Sequence, residues 1–172
     1  MSNSNQATET KSSIVITPEA LLEHWQGHRK LTRKMIAVFP EDKLFSYSVG
    51  GMRPFSELVL EMLGMAVPGV KGVITGNWQK LNELPAHLKK AAPTTKTELL
   101  DRWDEATEAL NVLWPQIPPH RFLETDTAFG QWEGPGYFFI FYWIDNEIHH
   151  RGQAYVYLRS LNIEPPAFWD RY

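Results

Sequence analysis

Apolar and polar positions alternate along most of this chain with the period of a helix. Leu21, Trp25, His28, Thr32, Met35 and Phe39 recur at steps of four and three, which places them on one helical face. Thr17-Pro18-Glu19 marks the start: a threonine cap, a proline suited to the first helical position and a glutamate at the positive end. The predicted span is 17–39, closed by Pro40. After a loop with Gly50-Gly51, the stripe Phe55, Leu58, Met62 and Met65 predicts a second helix over 54–77, kinked at Pro68-Gly69. The stretch with Pro85 and Pro93 reads as a connection. Thr95 and Glu98 have the spacing of a capping box and open a third helix over 95–114. Its apolar face is Leu99, Trp103, Ala106, Leu110 and Leu113, and Pro115 stops it. Residues 118–136 show no helical period and leave room for a short strand within 122–129. A last helix is predicted over 136–161, ending before Pro165-Pro166. Its first turns, 137–144, are apolar all round, the pattern of a central, buried helix.

Four striped helices with almost no strand signal predict an all-α four-helix bundle, with a short hairpin or irregular loop before the last helix. Residues 1–13 are rich in Ser, Asn and Thr and read as a flexible tail; 14–172 read as a single domain. A chain of 172 residues can bury a core without a disulfide or metal staple.

Composition narrows the function classes. With no cysteine, the chain has no disulfide, thiolate metal ligand or cysteine nucleophile. Formal net charge is −3 and the cations are scattered, whereas a phosphate-backbone binder displays a basic face. The densest basic spot, Arg29-Lys30 with Arg33-Lys34, alternates with Leu31, Met35 and Ile36 and reads as the wet side of the first helix. Nucleic acid is therefore not an expected partner. No apolar stretch is expected to reach the ~20 residues of a membrane span, and the opening Met-Ser-Asn-Ser-Asn-Gln is unlike a secretory signal. The expected location is cytoplasmic, without membrane association. Aromatic residues make up 13% of the chain, including seven Trp, enough to line a small-molecule pocket or a homodimer interface.

The last helix changes character halfway. Phe139, Trp143, Asn146, His150, Gln153 and Tyr157 share one stripe, so three polar side chains interrupt an aromatic face. Asn146 and His150 stand one turn apart, as in helical His-x3-His pairs that share an ion, and equally as in a hydrogen-bonded polar patch. On the second helix Glu61 is the only ionisable residue between Leu58 and Val67. Facing the core, it needs a partner or a cation; otherwise Glu57, Glu61 and Gly64 form a wet face. His24 and His28 repeat the His-x3-His spacing on the first helix, where a structural role is favoured. His87 and His120 stand near prolines and suggest no site. Gly69, Gly72 and Gly76 lack phosphate-loop spacing, and no serine has a nucleophile-elbow context.

Asp-Asn-Glu-Ile-His-His-Arg-Gly-Gln at 145–153, then Tyr157-Leu158-Arg159 and Pro165-Pro166, form a distinctive run. Together with Gly51-Met52-Arg53-Pro54-Phe55 and Glu57-Leu58, it resembles the DinB family of the DinB/YfiT-like group of four-helix metalloproteins, over about residues 17 to 172. The resemblance implies a divalent ion, zinc or nickel, held by three histidines: one on the second helix and two, four apart, on the last. It also implies transferases or hydrolases that use a low-molecular-weight thiol, and a family name that refers to induction by DNA damage rather than contact with DNA. Carried over, His150 matches the second of the paired histidines, Asn146 stands where the first is expected, and Glu61 replaces the histidine of the second helix. Imidazole, carboxylate and amide form a harder set than three imidazoles, and Asn is a poor zinc ligand. A weaker, more oxygen-seeking site is therefore expected, holding manganese, iron or magnesium, or no ion at all. Arg151 is expected in a structural ion pair, and Gln153 beside His150.

The expectation is thus a small-molecule protein with metal ligands Glu61, Asn146 and His150. An ion there would lower the pKa of a water or thiol nucleophile, and without an ion Glu61 would act as a base. The alternative is a non-catalytic ligand-binding or structural homodimeric bundle that has lost its ion.

Overall fold

The structure is a computed structural model and describes residues 15–78 and 91–172. The tail expected over 1–13, and most of the connection with Pro85 and His87, lie outside the described residues. Helix α1 spans Pro18–Val38, α2 Glu41–Leu44, α3 Phe55–Thr75, α4 Lys96–Leu113 and α5 Gly136–Ser160. Strands β1 (Thr125–Ala128) and β2 (Trp132–Pro135) form an antiparallel hairpin, with Ala128 opposite Trp132. The fold is mostly helical. Each of the four long helices packs on two others: α1 on α4 and α5, and α3 on the same pair.

The helix ends follow their local chemistry. Thr17 Oγ1 accepts from the Ala20 amide at 3.2 Å, with Pro18 just inside α1. Thr95 and Glu98 complete the capping box of α4. Helix α3 continues through Pro68 and stops at Gly76, whose φ of 70° is the left-handed cap that glycine takes without strain. By length and a mean hydropathy of 1.5 in its most apolar window, α3 does reach the range of a membrane span, contrary to expectation. Leu58, Met62, Ala66, Val70 and Val73 are instead buried within the helical assembly, as in a core helix.

The core has two apolar clusters. One gathers Trp25, Val70, Trp114, Phe139, Trp143 and Ile144; the other Met35, Phe39, Phe55, Leu99, Trp103 and Tyr157. Along α5 the first cluster ends at Ile144 and the second begins at Ala154, and Glu147, His150 and Arg151 lie buried between them. A polar layer therefore divides the core at mid-height.

Two expectations are corrected here. The first turns of α5 are not buried all round: Phe139, Ile140, Trp143 and Ile144 point inward, but Tyr137, Phe138, Phe141 and Tyr142 are exposed. A helix with neighbours on two sides keeps an outer face however apolar its sequence. Arg29 is not on the wet side of α1. It is 1% exposed, its guanidinium carbon 4.0 Å from the Trp103 ring centroid, with Nε donating to Thr107 Oγ1 at 2.8 Å.

Glycine on α3 sets how closely α5 approaches. A Cβ at Gly69 would lie 2.3 Å from Trp143 Cζ2, and the Trp143 ring is stacked on Trp25 with centroids 6.2 Å apart. Gly69→Ala is expected to destabilise the protein by about 1–3 kcal/mol in urea unfolding, despite alanine's better helix propensity, because the indole must give up its seat against Trp25. An unchanged midpoint would show that Trp143 repacks freely.

Candidate functional site

Glu61 from α3 and Asn146 and His150 from α5 meet in the polar layer. His150 Nε2 lies 3.0 Å from Glu61 Oε1, Asn146 Nδ2 donates to the same oxygen at 3.1 Å, and Asn146 Nδ2 is 3.2 Å from His150 Nε2. Arg53, from the loop before α3, donates to Glu61 Oε2. The spacing argument and the resemblance thus name three side chains that the fold brings within hydrogen-bond distance. Glu57, by contrast, is exposed.

Gln153, one turn beyond His150, fixes the ring. Its Oε1 lies 2.7 Å from His150 Nδ1, and its amide group donates to Met52 Sδ at 3.3 Å. A carbonyl oxygen only accepts, so this orientation of Gln153 puts the proton on Nδ1 and directs Nε2 toward Glu61. In the neutral ring, Nε2 then faces a carboxylate oxygen at 3.0 Å, lone pair to lone pair. A proton or a cation between them removes the repulsion.

The electrostatics of Glu61 go with the proton between them, since a ring protonated only at Nδ1 cannot donate from Nε2. Burial pushes the Glu61 carboxyl up, but hydrogen bonds from His150, Arg53 and Asn146 outweigh it and bring the group down to about 2. A depressed carboxyl contributes stability that is complete above its unfolded value of 4.5 and is lost as pH falls toward about 2. Glu61→Gln is expected to flatten the loss of stability in that acid window, read from urea midpoints at successive pH values. A slope equal to the parent's would show that Glu61 is not held by these partners.

Asn146 Oδ1 is buried without a hydrogen-bond partner, the one such oxygen at this centre. Rotating the amide would exchange it with Nδ2 and turn a carbonyl oxygen toward the other two groups. Donor atoms around an ion at about 2.1 Å sit about 3 Å apart, close to the spacing of these three side chains. The residues therefore fit a cation that favours oxygen, held by one carboxylate, one imidazole and one amide. Among the described residues no three His, Asp, Glu or Cys side chains group as a metal set, so such a centre depends on the amide.

On the other side of α5 is a network the sequence reading did not name. Glu147 is 2% exposed; it accepts from Thr32 Oγ1 at 2.6 Å and Trp25 Nε1 at 3.2 Å, and lies 3.9 Å from both Arg29 and Arg151. Burial raises its carboxyl above the usual range, with Arg29, Thr32, Arg151 and Trp25 opposing. Arg151 thus has the carboxylate partner its burial requires, and also donates to His28 Nδ1 at 2.9 Å. Burial, then Arg151, His24 and Arg171, lower His28 to about 3, so it stays neutral and structural. His120 is exposed beside Glu124. Glu147 had a signal: Ile140, Ile144, Glu147, Arg151, Ala154 and Leu158 form one helical stripe, a charged pair set inside an apolar face.

The sequence profile of the DinB family matches residues 1–170. The chain belongs to the DinB family. Two solved DinB-like proteins share the fold. One, from Bacillus subtilis, aligns with a TM-score of 0.69 at 18% identity, covering 88% of this chain and 99% of its own. The other, from Bacillus cereus, aligns with a TM-score of 0.63 at 20% identity, covering 87% and 95%. Comparison with curated protein sequences found no match. Membership in the DinB family accounts for the mostly helical architecture; at these identities the two structures speak to fold alone.

Proposed function

We propose that this DinB protein is a four-helix bundle of the DinB/YfiT type that acts on a small molecule at the Glu61–Asn146–His150 centre, with a weakly held divalent ion as cofactor. The observation that carries this reading is the facing pair, Nε2 of a ring protonated at Nδ1 against an ionised carboxylate oxygen at 3.0 Å, beside an unpartnered amide oxygen. A divalent ion would supply Lewis acidity there, lowering the pKa of a water or a low-molecular-weight thiol. The residues do the rest. Gln153 holds the imidazole in the ligating tautomer, and Arg53 holds the second Glu61 oxygen in place. A transferase or hydrolase reaction with a thiol cosubstrate follows from the family resemblance.

A second reading, a binding protein without catalysis, is favoured by one observation. Glu61 is already satisfied by Arg53, Asn146 and His150, so a proton on Nε2 completes the centre without an ion. Thermal unfolding with manganese, iron(II), zinc or nickel separates the two. The first reading expects a stabilising ion whose effect is lost in His150→Ala. No response to any of the four supports the second. A stoichiometric zinc surviving prolonged chelation would contradict the weak centre.

A further inference from the structure

One turn along both helices from that centre, α3, α5 and the hairpin enclose a cavity of about 520 Å³. Met65 forms the α3 wall, Phe129 and Trp132 the hairpin wall, and Phe139, Tyr142 and Trp143 the α5 side. The floor is fixed: Phe139 and Trp143 are buried, and Trp143 is held between Trp25 and the bare Cα of Gly69. The rim is aromatic and open, with Trp132, Phe138 and Tyr142 all more than half exposed. Among the described residues no charged side chain lines the space, and Gln131 brings the only side-chain amide.

The hairpin is strained to form this wall. Phe129 sits at φ 53°, a left-handed conformation that a bulky residue adopts at a cost of about 1–3 kcal/mol. Its ring is thereby placed against Trp78 and Trp132, with centroids 5.5 and 6.3 Å away. Strain of this kind collects at ligand-contacting walls, and here it sets one wall of the cavity.

We infer that this cavity binds an uncharged, planar aromatic group: the body of the small molecule whose polar head reaches Glu61, Asn146 and His150. The inference rests on the reading of those three residues as the polar end of a ligand site. Trp143 to Asn146 and Gly64 to Glu61 are each three residues apart, so the two parts are separated by about 4.5 Å along each helix, a reach within one small molecule. The volume lies in the range of small-ligand pockets, about 300–1,000 Å³. A wall of ring faces and no ion selects a flat, neutral body over a sugar, a phosphate or a charged amino acid.

The test is a fluorescence titration of the full chain with N-phenylnaphthylamine, an uncharged aromatic probe. The parent is expected to bind it saturably at one site. Tyr142→Ala and Trp132→Ala, both at exposed positions, should each weaken binding about fivefold, the worth of one aromatic contact. Gly64→Leu fills the space from α3 while favouring helix, and should weaken binding tenfold or more with unchanged circular dichroism. Phe168→Ala removes an exposed aromatic side chain elsewhere and should bind like the parent. A chelator should leave the titration unaltered, so failure of the cation reading with intact probe binding touches only that reading. The inference is overturned if the parent shows no saturable binding, or if folded Gly64→Leu binds like the parent. It is also overturned if the protein elutes as a dimer that Tyr142→Ala dissociates while the probe does not bind; the aromatic face is then a contact between copies.

Discussion

Glu147→Leu is expected to cost about 3–5 kcal/mol of folding stability, enough to remove much of the margin of an ordinary domain. The carboxylate stands between two buried guanidiniums, Arg29 and Arg151, each 3.9 Å away, and accepts from Thr32 and Trp25. Removing it leaves two positive charges in a layer where Arg29 is 1% and Arg151 5% exposed, and leaves two donors without an acceptor. The arginines cannot shed their protons to escape, because a guanidinium stays charged in proteins. Replacing the whole set, with Glu147→Leu, Arg29→Met and Arg151→Met together, should recover most of the loss, since apolar substitutes carry no desolvation cost. Urea unfolding of the single and triple variants checks both statements. A single-variant loss below about 1 kcal/mol would show that the network is not held by its carboxylate.

That network also shows where sequence reading stops. The caps were legible because they act over three or four residues: Thr17 with Pro18, and Thr95 with Glu98, specify helix starts whatever packs on them. The stripes were legible for the same reason. Arg29 was misread because burying a guanidinium depends on Trp103, Thr107 and Glu147, which arrive from other helices. Glu147 went unnamed although it shares a stripe with Arg151, because a charged pair at that spacing is usually a solvated one. The outer aromatics of α5 read as buried because hydropathy does not say how many neighbours a helix has.

The centre on the other face of α5 was legible as three positions. Spacing placed Asn146 and His150 on one stripe, and burial cost singled out Glu61 on α3. Gln153 was legible beside His150 because the two are one turn apart on α5. Arg53 as the cation on Glu61 was not, because it depends on how a loop packs on α3. The polar layer that separates the two core clusters was invisible for the same reason: it is written on α1, α3 and α5 at once.

Glu61→His combined with Asn146→His is expected to create a strong zinc or nickel site, giving the parent's spacing three imidazoles. The three side chains now meet at 3.0–3.2 Å, so the backbone already brings these positions together. His150 keeps its orientation, because Gln153 still accepts from Nδ1 and leaves Nε2 free to ligate. Arg53, nearly half exposed, turns to solvent once the Glu61 carboxylate is gone. An ion that binds only the folded state stabilises it by about 2.7 kcal/mol at a hundredfold excess over its dissociation constant. For a domain of this size that is a rise of several degrees in Tm, larger than any shift the same ion gives the parent. Adding His150→Ala to the double variant removes a third ligand and should abolish the rise. A double variant that folds, yet melts at the same temperature with and without zinc or nickel, would mean that the three positions do not close around an ion, and the cation reading of the parent centre would fall with it.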